Sequence, residues 1–244
     1  MARRLQQAGH TVHAWNRTQS KADPLAALGI AVHATVAEAV RQADIVVSLL
    51  ENGPAVEHVL FHAGAAQAMR PGTLFIDMAS IQPREARDHA ARLGEMGLAH
   101  LDAPVSGGTV GAENGTLAIM AGGRAEDFAR AQPVFAALGR ATHVGPHGSG
   151  QLAKLANQMI VGITIGAVAE ALLFAAKGGA DMARVREAIQ GGFADSRILQ
   201  LHGQRMVDRD FAPKARMGVQ LKDMRNALGT AEEIGFDAPV TTLF

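Results

Sequence analysis

Short apolar runs alternate with amphipathic segments over the first two thirds of the chain. Runs rich in β-branched residues predict strands at residues 12–16, 31–34, 44–50, 73–79, 101–106, 117–121 and 142–145. Between them, residues 83–96 and 125–138 repeat their apolar positions at the period of a helix. A run as apolar as IVVSLL, residues 45–50, is typical of parallel strands covered on both faces. The pattern therefore predicts an α/β domain with a mostly parallel sheet.

The pattern changes near residue 146, and no later segment has the pattern of a strand. We predict one helix over about residues 150–177, ended by Gly178 and Gly179, because glycine often follows the last turn of a helix. Helical patterns return at residues 182–189, 196–207 and 220–234, and residues 239–244 resemble the start of another helix. The sequence thus predicts a Rossmann-type domain over residues 1–146 and an all-helical domain over residues 147–244, joined by the long helix.

The first residues of the chain have the pattern of a helix and not of a strand. Residues 1–8 are helical in pattern, Gly9 suits the position after a helix, and residues 11–16 follow as a strand. A dinucleotide-binding unit opens with a strand and a glycine-rich turn, whose N–H groups hold the pyrophosphate. We expect that strand and glycine loop to lie before residue 1, and we expect the helical domain to be truncated at its end.

Composition narrows the classes of function. Lys plus Arg and Asp plus Glu number 23 each, and Arg3-Arg4 is the only basic cluster, so no nucleic-acid partner is predicted. The absence of cysteine excludes disulfides, thiolate metal sites and a cysteine nucleophile. Among ten histidines, His58 and His62 stand four residues apart on a predicted helix without a third ligand nearby. We interpret them as surface histidines and expect no metal.

The longest apolar stretch, residues 159–176, is interrupted by Gly162, Thr164, Gly166 and Glu170. We interpret it as a buried helix and expect no membrane span. Since the N-terminus lacks the apolar region of a secretory signal, we expect a cytoplasmic protein.

Asn16, Arg17 and Thr18 end the predicted strand that follows the first helix. In a dinucleotide-binding fold an acidic residue at this place binds the ribose of NAD, whereas arginine suits the 2′-phosphate of NADP. The sequence has Arg17 and no acid, so NADP(H) is favoured and NAD(H) is the alternative. An ordinary turn from strand to helix explains the same residues equally well.

Ser106, Gly107 and Gly108 follow a predicted strand. Two glycines allow a close approach of the backbone, and successive N–H groups can bind a carboxylate. Glycine turns after strands are common, but this one stands at the carboxyl end of a strand, where open α/β sheets bind ligands.

Lys154, Asn157, Gln158 and Val161 share one face of the long predicted helix. Their neighbours are apolar, and the helix starts where the two predicted domains meet, so we expect this face to line a cleft. The alternative is an exposed stripe on an amphipathic helix. Lys222 and Asp223 by themselves resemble ordinary surface charges.

In this order the motifs resemble those of the β-hydroxyacid dehydrogenase family. The matching segments are MARRLQQAGHTVHAWNRT at residues 1–18, FIDMASIQP at 75–83, DAPVSGGTVGAENGTL at 102–117, GSGQLAKLANQ at 148–158 and QLKDM at 220–224. Within the family, KLANQ, EALLFAAKGGAD at 170–181 and GGFADSRIL at 191–199 are most similar to tartronate semialdehyde reductases.

The resemblance implies a role for each matching residue. Lys154 is the implied acid/base, and the implied substrate contacts are Ser106, Gly107, Gly108, Asn157 and Phe193. The implied cofactor contacts, besides Asn16, Arg17 and Thr18, are Leu50, Glu51, Ser80 and Lys222. The chain departs from the family at Glu51, where proline is frequent, and it contains no GxGxxG.

The resemblance favours an NADPH-dependent reductase that converts tartronate semialdehyde, a small carboxylate-bearing substrate, to glycerate. An NAD-dependent 3-hydroxyisobutyrate dehydrogenase is the nearest alternative, and imine reduction on the same scaffold is a third. A catalytically inactive binding or oligomerisation module is the alternative from another class. We also expect a homo-oligomer, a dimer or a tetramer.

Overall fold

The computed structural model describes residues 1–212 and 216–243. The chain forms two compact units, residues 1–154 and 155–244. The first unit contains the strands, and the described part of the second is helical. A mostly parallel Rossmann-type sheet domain followed by a helical domain is confirmed.

Eight strands form two sheets. They are β1 (His13–Ala14), β2 (Ala31–Val32), β3 (Ile45–Ser48), β4 (Leu74–Asp77), β5 (Ala99–Asp102), β6 (Val105–Ser106), β7 (Leu117–Gly123) and β8 (Gly139–Gly145). Strands β1 and β2 pair in parallel as a two-stranded sheet. The six-stranded sheet has the order β3-β4-β5-β7-β6, and β8 also pairs with β7. Its β3–β4, β4–β5 and β7–β8 pairs are parallel, and β7 is antiparallel to β5 and β6.

The single strand predicted over residues 101–106 is wrong, because two strands occupy this segment. Strand β5 ends at Asp102, and β6 then runs antiparallel to β7. Pro104 lies between them and has no N–H to donate to a strand ladder. Its carbonyl oxygen accepts a hydrogen bond from the N–H of Met120 at 3.0 Å. Both β5 and β6 pair with β7 in the same antiparallel register, so the proline interrupts the strand without changing its partner on this side.

Helices cover the sheet on both faces. In the first unit they are α1 (Ala2–Gln7), α2 (Val36–Val40), α3 (Gly53–Glu57), α4 (Ala65–Ala68), α5 (Pro83–Glu95), α6 (Gly108–Asn114) and α7 (Ala125–Leu138). Helix α5 begins at a proline and has a capping box between Gln82 and Glu85. The helices predicted over residues 83–96 and 125–138 are confirmed.

Strand β4 shows why its first three residues, Leu74 to Ile76, are all apolar. Leu74 and Ile76 belong to one buried cluster, with Leu101 and Phe135. Phe75 points to the opposite face and belongs to a second cluster, with Leu60. Alternate side chains of a strand leave opposite faces of the sheet, so two covered faces require a continuous apolar run.

The second unit is built from helices around a small core. They are the continuation of α8 (Ser149–Lys177), then α9 (Met182–Ile189), α10 (Gln204–Asp208), α11 (Met217–Glu233) and α12 (Pro239–Leu243). The segment predicted as a helix over 196–207 contains a π-helical turn, Leu199–Gly203, directly before α10. Residue 244, the last of the predicted final helix, lies outside the described residues.

The prediction that the apolar stretch of α8 is buried is wrong. By length and composition helix α8 could cross a membrane, yet only 11% of its most apolar stretch is buried. Ile160, Leu173 and Phe174 are exposed. The buried cluster of the second unit consists of Val168, Leu172 and Leu199, with partly buried neighbours, so it covers one side of the helix. That α8 does not span a membrane stays a prediction.

Candidate active site

Two buried aspartates lie at the carboxyl ends of neighbouring parallel strands. Asp77 ends β4 and Asp102 ends β5, and the two are partners in the strand register. Both are fully buried. Ligands of open α/β sheets bind outside these strand ends. The buried aspartates therefore lie directly beneath the edge where a ligand is expected.

Asp102 holds the amino end of α8. One carboxylate oxygen accepts the N–H of Gly148 at 2.8 Å, and the other accepts the N–H of Gln151 at 2.9 Å. The first N–H groups of a helix have no partners within it, and a carboxylate is favoured there by charge as well as by hydrogen bonding. The helix therefore starts at a place fixed by β5.

Glycine at position 150 allows the start of α8 to pack closely against the sheet. A Cβ at residue 150 would lie 2.4 Å from the carbonyl oxygens of Asp102 and Met120. Both oxygens belong to strand backbone, which cannot withdraw as a flexible side chain can. Only glycine fits between the helix and the sheet at this position.

Lys154 lies one turn into α8 and is buried, with 8% of its surface exposed. Gln158 is buried as well, and Asn157 is partly buried. The alternative of an exposed polar stripe is therefore wrong for this part of the helix.

Gln151 connects α8 to the segment that follows β4. Its side-chain nitrogen donates to the carbonyl oxygen of Ala79 at 2.8 Å, and its side-chain oxygen accepts the N–H of Ile81 at 3.1 Å. Between these two residues stands Ser80, which is partly buried. Gln151, Asp77 and Asp102 were not predicted as site residues, because a sequence pattern does not show which polar side chains become buried.

The Asp77 carboxyl binds its proton unusually tightly. Its pKa is raised to about 7, chiefly by burial and to a smaller extent by the charge of the neighbouring Asp102, while the hydrogen bond from the N–H of Ala79 lowers it. Its second oxygen has no hydrogen-bond partner among the described residues. Burial also raises the pKa of Asp102, and the hydrogen bonds from Gly148 and Gln151 oppose that rise.

We expect Asp77→Asn to remove a pH-dependent part of the stability. Because the folded pKa of about 7 exceeds the unfolded value of 3.8, the parent loses unfolding free energy as the pH rises through this window. The interval from pH 5 to the folded pKa spans about two pH units, which correspond to about 3 kcal/mol. The unfolding free energy of the variant should therefore rise by that order relative to the parent from about pH 5 to about pH 8. Urea unfolding at both pH values measures it. The exposed Asp44→Asn is the control, and equal differences at both pH values for Asp77→Asn would contradict the expectation.

Strand β6 leads into the predicted carboxylate-binding turn. Gly107 has φ +136° and Gly108 has φ +63°, a region that other residues rarely adopt. A Cβ at Gly107 would also meet the Leu117 side chain at 3.2 Å. Ser106 is partly buried, and both glycines are exposed. The backbone here has the freedom and the access that the predicted role requires, and the role itself stays a prediction.

The predicted cofactor contacts of the first unit follow the ends of parallel strands. After β1, the Asn16 side chain accepts the N–H of Thr18 at 3.0 Å, which forms a tight turn with Arg17 exposed at its centre. After β3, Leu50 is partly buried and Glu51 is exposed. Arg17 after β1 and Glu51 after β3 are thus open to solvent, as a contact with a cofactor requires, and the contacts themselves stay predictions.

In the second unit a hydrogen-bond network joins two of the predicted residues. Asn157 donates to Gln158 at 2.9 Å, and Gln158 donates to Asp223 at 2.7 Å. The Nζ atom of Lys222 lies 2.9 Å from the other oxygen of Asp223. Asp223 is buried, so its interpretation as an ordinary surface charge is wrong. In the sequence, only the neighbouring motif residue Lys222 points to Asp223 as a residue of the site.

Phe193 follows Gly191 and Gly192 and is fully exposed. Its predicted contact with substrate stays a prediction.

Among the described residues, Glu57, Asp88 and His89 form a group whose ligand atoms lie within 4.8 Å of one another. The guanidinium of Arg92 forms ion pairs with both carboxylates, at 2.9 and 3.1 Å, and so offsets part of their charge.

Comparisons with known proteins agree with this architecture. Residues 1–146 match the family described as the NAD binding domain of 6-phosphogluconate dehydrogenase. Residues 148–244 match the family described as NAD-binding of NADP-dependent 3-hydroxyisobutyrate dehydrogenase.

Similar proteins cover nearly the whole chain. The 2-hydroxy-3-oxopropionate reductase of Escherichia coli is 44% identical over 99% of this chain and 83% of that protein. An NAD-dependent L-serine dehydrogenase of Pseudomonas aeruginosa is 36% identical over 96% of this chain and 80% of that protein. The structure of a Mycobacterium tuberculosis 3-hydroxyisobutyrate dehydrogenase with L-serine superposes with a TM-score of 0.91 at 32% identity, covering 99% of this chain and 85% of that one. The chain belongs to the family of pyridine-nucleotide-dependent β-hydroxyacid dehydrogenases.

Proposed function

We propose that this chain reduces tartronate semialdehyde (2-hydroxy-3-oxopropanoate) to glycerate with NADPH, and that Lys154 is the proton donor. The observation that carries the proposal is a buried lysine one turn into a helix whose start is held by Asp102 and Gly150. The identity of 44% to the E. coli reductase supports the choice of substrate.

In the proposed reaction Lys154 protonates the oxygen of the aldehyde. A bound nicotinamide cofactor would supply the hydride to the aldehyde carbon. As that carbon is reduced, negative charge develops on its oxygen, and an ammonium group within hydrogen-bond reach stabilises the charge and transfers its proton. The lysine is left as a neutral amine and regains a proton from solvent. In the oxidative direction the neutral amine removes the proton from the alcohol.

The remaining predicted residues hold the substrate and the cofactor. We propose that backbone N–H groups of Ser106, Gly107 and Gly108 bind the substrate carboxylate, because consecutive N–H groups can form an anion site. Asn157 positions the hydroxyl or carbonyl oxygen, and Phe193 covers the substrate. Leu50 and Glu51 line the cofactor by their backbones, and Ser80 and Lys222 lie near its nicotinamide.

A direct comparison of substrates tests this proposal. The purified chain is assayed with tartronate semialdehyde and NADPH, and with 3-hydroxyisobutyrate and NAD, the nearest alternative from the sequence. The substrate of this second pair is also suggested by the similarity to a 3-hydroxyisobutyrate dehydrogenase. L-Serine with NAD is a third arm. A kcat/KM at least about tenfold higher for the first pair is expected. A higher value for either other pair assigns the chain to that substrate, and no turnover with any pair contradicts the proposal.

We expect Arg17→Ala to change the cofactor preference. Loss of one charged hydrogen bond to the 2′-phosphate costs about 1.5–3 kcal/mol, so kcat/KM for NADPH should fall about 10- to 100-fold while that for NADH is unchanged. Initial rates with both cofactors measure the change. Arg140→Ala, an exposed arginine on β8, is the control. An equal loss of kcat/KM with both cofactors would show that Arg17 does not bind the 2′-phosphate.

We also propose that the chain forms a homo-oligomer. Ile160, Leu173 and Phe174 on α8 and Met217 on α11 are large apolar side chains that stand in solvent. Exposed apolar surface of this kind favours association. The molar mass from light scattering tests it, and a monomer at working concentration would contradict it.

A further inference from the structure

We propose that Gln151 is a positioning residue, whose side-chain amide fixes the segment Ala79-Ser80-Ile81 against the first turn of α8. The inference rests on the proposed function in one respect, because it takes Lys154 and Ser80 as the groups to be aligned. The polar network that carries it lies wholly in the first unit.

The amide of Gln151 holds both peptide groups that flank Ser80. The carbonyl oxygen of Ala79 belongs to the preceding peptide group and accepts from Nε2, and the N–H of Ile81 belongs to the following one and donates to Oε1. A planar amide that donates at one end and accepts at the other satisfies these two groups in one orientation only. The backbone on both sides of Ser80 is therefore fixed relative to Gln151.

The backbone of Gln151 is held just as firmly. Its N–H donates to Asp102 at 2.9 Å, and the other oxygen of that carboxylate holds Gly148. Asp77 in turn accepts the N–H of Ala79 at 3.0 Å. Gln151, Asp77 and Asp102 are fully buried, so water cannot replace these bonds without opening the packing.

Lys154 follows Gln151 by three residues, which is about 4.5 Å along a helix axis. Any shift of the first turn of α8 against the segment after β4 therefore moves the lysine relative to Ser80. Catalysis depends steeply on such placement, since an error of about 1 Å can cost on the order of a hundredfold in rate. Gln151 is the side chain that couples the two segments directly.

The test replaces Gln151 by methionine and, separately, by asparagine. Methionine keeps the length of the side chain without its hydrogen bonds, and asparagine keeps the amide on a stem too short to reach both peptide groups. We expect kcat to fall about 10- to 100-fold in both variants, while KM for substrate and the cofactor Kd change less than about threefold. Gln67→Met, an exposed glutamine on α4, is the matched control and should match the parent.

Two readouts do not require turnover. Amide exchange at Ile81 should accelerate at least about tenfold in both variants, because its N–H loses its acceptor. The rate at which an amine-reactive reagent labels Lys154, followed by peptide mapping, should change at least about threefold. If the parent turns over none of the substrates, the proposed function fails, and these two measurements still decide whether Gln151 sets the position of Lys154.

Three outcomes would overturn the inference. The first is faster exchange at Ile81 with kcat unchanged. The second is a fall in kcat together with a higher KM, weaker cofactor binding and lower stability, which indicates a structural role alone. The third is unchanged exchange and unchanged labelling in both variants. If the methionine variant does not fold, the asparagine variant carries the same comparison.

Discussion

Lys154→Met is expected to lower kcat for the reduction of tartronate semialdehyde by about 10²- to 10⁴-fold. The thioether cannot donate a proton, so the charge that develops on the substrate oxygen loses its partner. Methionine fills the volume of the lysine stem and introduces no charge into the buried start of α8. The variant should therefore fold and bind NADPH with a Kd within about threefold of the parent.

Single-turnover and steady-state rates, with NADPH binding followed by fluorescence, measure this effect. Lys177→Met is the matched control, because Lys177 ends the same helix and is exposed. A Lys154→Met enzyme that retains more than about a tenth of the parental kcat would contradict the assignment of the proton donor. A loss of rate that accompanies a loss of NADPH binding would place Lys154 in the cofactor site.

Gly150→Ala is expected to lower the free energy of unfolding by about 3 kcal/mol or more, the upper range for added atoms in a packed interior. The new methyl carbon would stand 2.4 Å from two carbonyl oxygens and 2.8 Å from an Asp102 carboxylate oxygen. These atoms belong to β5 and β7, so relief requires that α8 move away from the sheet. The hydrogen bonds from Gly148 and Gln151 to Asp102 would then lengthen, and activity should fall in the fraction that still folds.

Urea unfolding followed by circular dichroism measures the loss. Gly94→Ala is the control in the same unit, since Gly94 lies in α5 with no atom within 4 Å of an added Cβ. That variant should be as stable as the parent, or more stable by up to about 1 kcal/mol, because alanine favours a helix. A Gly150→Ala protein of parental stability would show that the start of α8 is not confined as the structure has it.

Most of the secondary structure could be predicted because burial sets its periodicity. Strand β4 faces a covered core on each side, so its first three residues are all apolar and the run is visible in the sequence. Helices α7 and α9 were predicted with their observed bounds. Predictions failed where a strand is interrupted, as at Pro104, and where a helix departs from regular hydrogen bonding, as in Leu199–Gly203. Neither event changes the apolar period.

The candidate site likewise contains residues that could be predicted from the sequence and residues that could not. Lys154, Asn157 and the glycine turn after β6 could be named because their motif resembles that of a known family. Gln151, Asp77 and Asp223 could not, since a buried polar residue and an exposed one look alike in a sequence. What distinguishes them is the set of partners within hydrogen-bond distance. Gln158 and Asp223 are 65 residues apart along the chain, and Gln151 and Ala79 are 72 residues apart.

The alternation of strands and helices, the change to a helical second part, and the position of Lys154 one turn into a long helix can all be inferred from the amino-acid sequence. They can be inferred because periodicity, glycine and proline act over a few residues. The folded structure was needed to show that Lys154 is buried, that Asp102 and Gln151 hold its helix, and that much of α8 is exposed. Burial and hydrogen bonding of these groups depend on which distant segments come together, and no local pattern encodes that.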